Sequence, residues 1–295
     1  LKAILLAALA CTGAIFAAQW LRALRGTPPR AARPSFFDVL VGALTDFFDT
    51  LGIGSFAPTT ALFQARGSVP ERCIPGTLNV GHTAPTLAQA FIYISIVRVD
   101  PLTLVLMVGA SVAGAWLGAG TVVTWSKQRV ERGLALALFA AAALFTAQQL
   151  HVLPAGGTAL VLRGGPLLVA VACNFALGAL MTLGVGLYGP CMVVVSLLGM
   201  DPTAAFPIMM GSCAFLMPVG SARFLAHRAY SPRAALGLTV GGVPAVLVAA
   251  WIVRSLPLGT IRWLVIAAVL VAAFMMLRAS RRATGVVDES PDPRA

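Results

Sequence analysis

"DFFDTLGIGSFAPTT", residues Asp46 to Thr60, sets two carboxylates, two glycines and a proline inside an apolar stretch. A straight helix from Pro34 to Ala65 would be about 48 Å long at about 1.5 Å per residue. The hydrocarbon core of a bilayer is about 30 Å thick. Gly52, Gly54 and Pro58 are poor helix residues, and the central glycines favour a break at the middle. The stretch therefore reads as the tip of a re-entrant or broken helical hairpin. Irregular backbone at that depth is tolerated only inside protein or beside a cavity.

The rest of the chain fits this setting. It has 295 residues, of which 59% are hydrophobic and 11% charged, with a mean hydropathy of +0.90. A soluble domain carries about a quarter charged residues. Long windows nearly free of charge lie at Leu1–Leu21, Leu102–Ser126, Leu134–Leu150, Pro166–Met200 and Trp263–Leu277. The chain is expected to be an all-α polytopic membrane protein. Its net charge of +11 comes from Arg clusters in short loops, a topology signal rather than a nucleic-acid footprint, and no nucleic-acid partner is expected. Cys11, Cys73, Cys173, Cys191 and Cys213 form no C-x-x-C pair, so neither a disulfide framework nor a metal site is expected.

The opening motif occurs twice. "TLGIGSFAPTTALFQARGSVPERCIP" (50–75) and "TLGVGLYGPCMVVVSLLGMDPTAAFP" (182–207) align without a gap at an offset of 132. Thr50, Leu51, Gly52, Gly54, Pro58, Pro70 and Pro75 match Thr182, Leu183, Gly184, Gly186, Pro190, Pro202 and Pro207. Upstream, Gly42–Leu44 matches Gly178–Leu180, and the first copy then adds Asp46-Phe47-Phe48-Asp49. Glycine and proline each fix a backbone event, so their coincidence carries weight that Leu or Ala would not. Ser68, Pro70 and Glu71 read as a helix start, as does Asp201-Pro202. Ser35 with Asp38 reads as a capping box.

The division expected is an N-terminal transmembrane helix with a basic cytoplasmic loop (1–33), a first repeat (34–150), a second repeat (151–282) and a disordered tail (283–295). With hairpins at 34–65 and 166–198 turning back, 16 of the 21 Lys and Arg residues fall in the segments read as cytoplasmic. These are 22–33, 66–72, 127–133, 223–233 and the C-terminal stretch from Arg278 onward. A hairpin plus three crossings per repeat inverts the second copy relative to the first. That is the plan of secondary transporters, with broken helices at a midplane site. The N-terminus is then outside and the C-terminus cytoplasmic.

With "G-A-L" before "T-L-G-x-G" in both copies, and a helix opening with Pro after each, the chain resembles the TauE/SafE family of sulfite exporters. That family is also called the toluene sulfonate uptake permease family. The likeness covers roughly residues 34–278. Members usually carry a longer glycine run, where this chain has Ser55-Phe56-Ala57-Pro58 and Leu187-Tyr188-Gly189-Pro190. "DFFDTLGIGSFAPTT" thus looks like a distinct branch. The resemblance implies a bacterial inner-membrane exporter of sulfite or an organosulfonate, with a small anion and the bilayer as partners. A homodimer is an open possibility.

Candidate residues follow from the tips. A helix restarting at midplane offers free N–H groups and a positive dipole end to an oxyanion. The substrate-binding candidates are Thr50, Gly52, Gly54, Ser55, Asn79, His82, Thr182, Gly184, Gly186 and Tyr188. The other reading of the glycines is close helix packing. Asp46 and Asp49 share a helix face, and an intramembrane carboxylate is functional by default. With His82 they are the proton-coupling candidates; the alternative is a buried structural acid paired with Thr hydroxyls or His82. His82 and Asn79 are placed on one face. Cys191 supports a rival, a membrane thiosulfate- or sulfur-handling protein, and a membrane scaffold is a third class. The expected protein is not an enzyme: it has no catalytic residues and no cofactor. No Walker motif is present, so the chain has no ATP drive of its own.

Overall fold

A computed structural model describes residues 1–122, 127–152, 157–181 and 186–285. The described residues are all-helical apart from one isolated bridge, Ala159 with Met200. In chain order the helices are α1 (Lys2–Arg25), α2 (Pro29–Ala32), α3 (Phe36–Thr50), α4 (Phe56–Arg66), α5 (Ile74–Ile96) and α6 (Pro101–Val122). They continue with α7 (Lys127–Gln149), α8 (Gly164–Met181), α9 (Tyr188–Leu197), α10 (Ala205–Ala226), α11 (Pro232–Ser255) and α12 (Leu258–Gly285). Among the described residues, four helical stretches are long and apolar enough to cross a membrane: Lys2–Arg25, Gly164–Met181, Pro202–Ala226 and Pro232–Ile252. Large apolar side chains face outward, among them Trp251, Leu168, Leu117 and Leu136. An exposed apolar surface of this extent suits lipid, not water.

Both breaks lie where the glycine motifs fall. The first separates α3 from α4 at residues 51–55. Gly52 and Gly54 hold φ of +95° and +87°, a region glycine enters freely and other residues at a cost. α3 has 15 residues and α4 has 11, about 22 and 16 Å at 1.5 Å per residue. Each arm is too short to cross alone. The chain turns back, because the Arg66 guanidinium at the end of α4 lies 4.3 Å over the Phe37 ring at the start of α3. In the second break α8 ends at Met181 and α9 begins at Tyr188. Here too the base closes: Asp201 N–H donates to the Ala159 carbonyl at 2.9 Å, next to the Ala159–Met200 bridge. α8 is long and apolar enough for a span, yet α9 returns to the end where α8 began.

The two hairpin bases lie at opposite ends of α5. Residues 66–73 precede that helix. Its other end leads to Asp100, whose N–H donates to the Leu160 carbonyl beside the second base. At the first end Arg233 Nε donates to Asp38 at 3.3 Å, and the Thr77 hydroxyl accepts from Ser231 N–H.

α3 lies along α11 and α8 along α6; α5 meets α10, and α7 meets α12. Two crossings are glycine-tight. A Cβ on Gly42 would strike the Leu238 carbonyl, and one on Gly241 the Val39 carbonyl. In the other pair, Gly178 abuts the Ser111 carbonyl and Gly114 the Phe175 carbonyl.

Two local expectations change. Ser68 makes no cap: Pro70 takes that position ahead of a 3-10 turn, Glu71–Cys73, with no side-chain cap bond. The rigid Pro φ sets the start of that turn without it. The tail expected from 283 overlaps α12, which continues through Gly285. Residues 286–295 lie outside the described residues. The Ser35–Asp38 capping box forms as expected, and Asp201 accepts from Thr203 N–H.

Candidate functional site

α3 turns its polar side inward. Leu40, Leu44 and Phe48, spaced four apart, are exposed, while Val41, Thr45, Asp46, Asp49 and Thr50 are buried. This reverses a soluble helix and brings both carboxylates into the protein. α5 answers with His82, Thr86, Gln89 and Tyr93, a stripe at helical spacing whose members are all 2% exposed or less.

The two stripes hydrogen-bond. His82 Nδ1 lies 2.8 Å from Asp46 Oδ1, and its Nε2 lies 3.0 Å from the Thr59 hydroxyl on α4. The Asp46–His82 pairing considered from sequence is therefore present. An ionised Asp46 takes the Nδ1–H, leaving Nε2 to accept from Thr59. Asp46 Oδ2 is buried without a hydrogen-bond partner. It lies against Gly242 and Pro85, where any larger residue at 242 would collide with it. One turn on, Gln89 Nε2 donates to Asp49 Oδ2 at 2.8 Å and to the Thr50 hydroxyl at 3.0 Å. The Gln89 carbonyl accepts from the Tyr188 hydroxyl at 3.1 Å. Tyr93 donates to the Thr50 carbonyl at 3.1 Å and stacks on Phe206. Gln89 thus ties the first hairpin to the second.

A cavity of about 90 Å³ lies between the hairpin tips. That is room for about three waters at ~30 Å³ each, or one small oxyanion. Its wall includes Asp49, Gly54, Ser55, Phe56, Ala57 and Thr86 from the first half, and Gly186, Leu187, Tyr188 and Gly189 from the second. The two helix starts are built alike. α4 begins at Phe56 after Ser55 at φ −85°, ψ −29°; α9 begins at Tyr188 after Leu187 at φ −81°, ψ −27°. Neither has a side-chain cap. Pro58 and Pro190 both occupy the third helical position, where a missing N–H costs nothing. Two uncapped N-termini therefore abut one cavity, each adding partial positive charge. Among the described residues no basic side chain lines it. Met181, Met217, Met275, Met276 and Cys213 make much of the remaining wall.

The sequence candidates separate on this geometry. Gly54, Ser55, Gly186, Tyr188 and Asp49 line the cavity. Beside both Gly54 and Gly186 a Cβ would meet open space. Gly52 does not line it: its Cα packs on the Met192 methyl of α9, so there the packing reading holds. Thr50 is committed to the Asp46 carbonyl and Gln89. His82 is fully buried with both ring nitrogens engaged. As placed, neither Thr50 nor His82 can donate to a ligand in the cavity. Asn79 lies off it too, donating to the Pro75 carbonyl and lining a separate, larger cavity. Although three apart, Asn79 and His82 look different ways. Thr182 and Gly184 lie outside the described residues. Cys191 is buried in the core away from the cavity, whereas Cys213 is on its wall.

Gln89, Thr59 and Tyr93 were not among the candidates. Their signal was available: His82, Thr86, Gln89 and Tyr93 recur at 4, 3 and 4 residues within an apolar helix. A polar stripe on one face of a membrane helix marks an interior-facing site. Comparison with known proteins adds no relative: no family model matches the sequence, and no curated protein or solved structure matches it.

Proposed function

We propose that this chain is a secondary transporter that carries a small sulfur-containing anion, sulfite or an organosulfonate, together with a proton. The two hairpins form inverted repeats, and the substrate sits between their tips. The carrying observation is the cavity itself: two matched, uncapped helix N-termini meet there beside the carboxyl of Asp49. Helix N-termini favour an anion. An ionised Asp49 repels one, so anion and proton arrive together or the carboxyl takes the proton first. Asp46, with a free oxygen and a bonded His82, stands one turn behind as a second proton station. Sulfur as the element of choice rests on the resemblance of the tip motifs.

The repeat reading draws support from helix packing. Gly42 meets the carbonyl of Leu238 and Gly241 that of Val39; Gly178 meets Ser111 and Gly114 meets Phe175. Adding 136 to 39 and 42 gives 175 and 178, and subtracting 127 from 238 and 241 gives 111 and 114. The α3–α11 and α8–α6 crossings are thus the same joint used twice. The opposed hairpin bases accord with inversion.

The test is flux into proteoliposomes with sulfite, thiosulfate, an alkanesulfonate and sulfate, read together with internal pH. The expected result is saturable uptake of at least one sulfur anion with proton movement in the same direction. Flux of none of them, in protein that is folded and inserted, overturns the reading.

A further inference from the structure

The second cavity is far larger, about 1970 Å³, and lies between α1, α4, α5, α6, α10 and α12. It shares Phe56, Ala57, Met181 and Met275 with the tip cavity. Those four residues are therefore the partition between the two spaces. Moving away from that partition, the wall passes Thr60 and Asn79, then Gln64. It also includes Glu71, Arg223, His227 and Arg278. Glu71 lies just before α5, Arg223 and His227 lie at the close of α10, and Arg278 lies one turn beyond Met275 on α12. Both arginines and His227 are exposed. Among the described residues, neither arginine forms an ion pair. Glu71 is the single acid on this wall among the described residues. The mouth thus carries excess positive charge, while the inner wall is mostly apolar with Thr60, Gln64 and Asn79 as neutral polar groups.

We infer that this cavity is the access route for the anion, with Arg223 and Arg278 as an electrostatic collar at its mouth and Phe56, Met181 and Met275 as the closed partition at its floor. The inference rests on the proposed function for the identity of the cargo as an anion. Low-dielectric walls lined by one sign of charge focus the field and raise the local concentration of the opposite ion. Among the described residues the tip cavity has no basic side chain of its own, so capture of a dilute anion falls to the mouth. The collar stands about 30 Å from the far end of α10, a 22-residue helix at ~1.5 Å per residue. It therefore serves one side of the membrane, the side of residues 66–72 and 223–233.

Site-resolved thiol labelling tests this without any substrate. Ala57→Cys places a thiol at the partition and Thr60→Cys places one part-way up the route. Each is reacted with anionic, neutral and cationic methanethiosulfonate reagents, and the modified peptide is quantified by mass spectrometry. At low ionic strength the anionic reagent should react about tenfold faster than the cationic one at both positions. Arg223→Gln with Arg278→Gln should remove that preference and leave the neutral rate unchanged. Raising the salt with both arginines present should do the same through screening, with no substitution that could disturb folding. Equal rates for both charges, or a preference that survives the double substitution and high salt, would overturn the collar. The result is separable from transport: charge-selective labelling in a protein that moves no sulfur anion would keep the route and remove the proposed cargo.

Discussion

At the scale of single residues, Asp49 and Asp46 divide the work by position. Asp49 faces the tip cavity and is held by Gln89; Asp46 faces His82 and is walled off by Gly242 and Pro85. An anion in the cavity therefore meets Asp49 first. Asp49→Asn should change the ratio of protons to anions in coupled liposome flux, and by more than Asp46→Asn does. An unaltered ratio for Asp49→Asn would remove it as the coupling group. The cavity glycines give a second prediction. Gly186 borders open space, so Gly186→Leu should fill the cavity and abolish saturable binding while protein yield is kept. Gly54→Leu should do the same with an added stability cost, because its φ of +87° strains any side chain. Unchanged affinity in folded Gly186→Leu protein would return the glycine to a packing role. These residues differ in how far the sequence revealed them. Gly52, Gly54 and Pro58 declared a break because each constrains its own backbone. The polar stripe put Gln89 on an interior face, but its importance lies in three partners from two other helices, and only tertiary packing brings those together. As ligand contacts Thr50 and His82 were harder to read for the same reason: their chemistry was legible, but which neighbours engage it was not.

At the scale of elements, the hairpins and crossings carry the argument. α3 and α11 touch backbone to backbone because Gly42 and Gly241 remove the Cβ from both sides, and α6 and α8 repeat this with Gly114 and Gly178. An alanine at any of the four pushes a methyl into a carbonyl. Overpacking of this kind costs about 1–3 kcal/mol. Thermal melting in detergent should show a comparable loss for Gly42→Ala and Gly178→Ala. Gly109→Ala, with open space around it, should be neutral or slightly stabilising. If Gly42→Ala melts like the Gly109 variant, the close crossing is not what holds α3. Hairpin closure makes a topological prediction as well. Residues 66–72 and 98–101 occupy opposite ends of α5, and in the orientation expected from the basic loops the first is cytoplasmic. Cysteines placed in 66–72 should label only from inside and those in 98–101 only from outside; the reverse would sink the assigned orientation. The two helix breaks were legible in sequence from the spacing of Gly and Pro. The glycine joints were not, because nothing in a lone Gly114 names Phe175 as its neighbour.

At the scale of the whole molecule, one face of the structure is open and its counterpart is shut. The large cavity is lined by Thr60, Gln64 and Asn79 of the first half. At the offset of 132 their counterparts are Met192, Ser196 and Gly211. Met192 is fully buried, Gly211 is packed near Val108 and Ile94, and the Ser196 hydroxyl is buried without a hydrogen-bond partner. On the proposed inverted-repeat transport cycle, a second state exchanges these roles, as alternating access requires. In that state the second hairpin's side opens to water at the opposite membrane face and the first closes. Ser196 supplies a reason for the exchange to be reachable. An unsatisfied buried hydroxyl costs about 1–3 kcal/mol, and water in the opened route would relieve that cost. Ser196→Ala should therefore favour the state seen here, by about tenfold in the equilibrium for each 1.4 kcal/mol removed. The measurement is sided labelling of Asn79→Cys and Ser196→Cys in vesicles, with and without a sulfite gradient. Asn79→Cys should react from the side of residues 66–72. Ser196→Cys should be protected at rest, then react from the opposite side when the gradient drives turnover, as Asn79→Cys labelling falls. Labelling of both from one side, or a Ser196 thiol silent under every gradient, would mean that the two halves do not exchange roles and that the open cavity is a fixed feature of the fold.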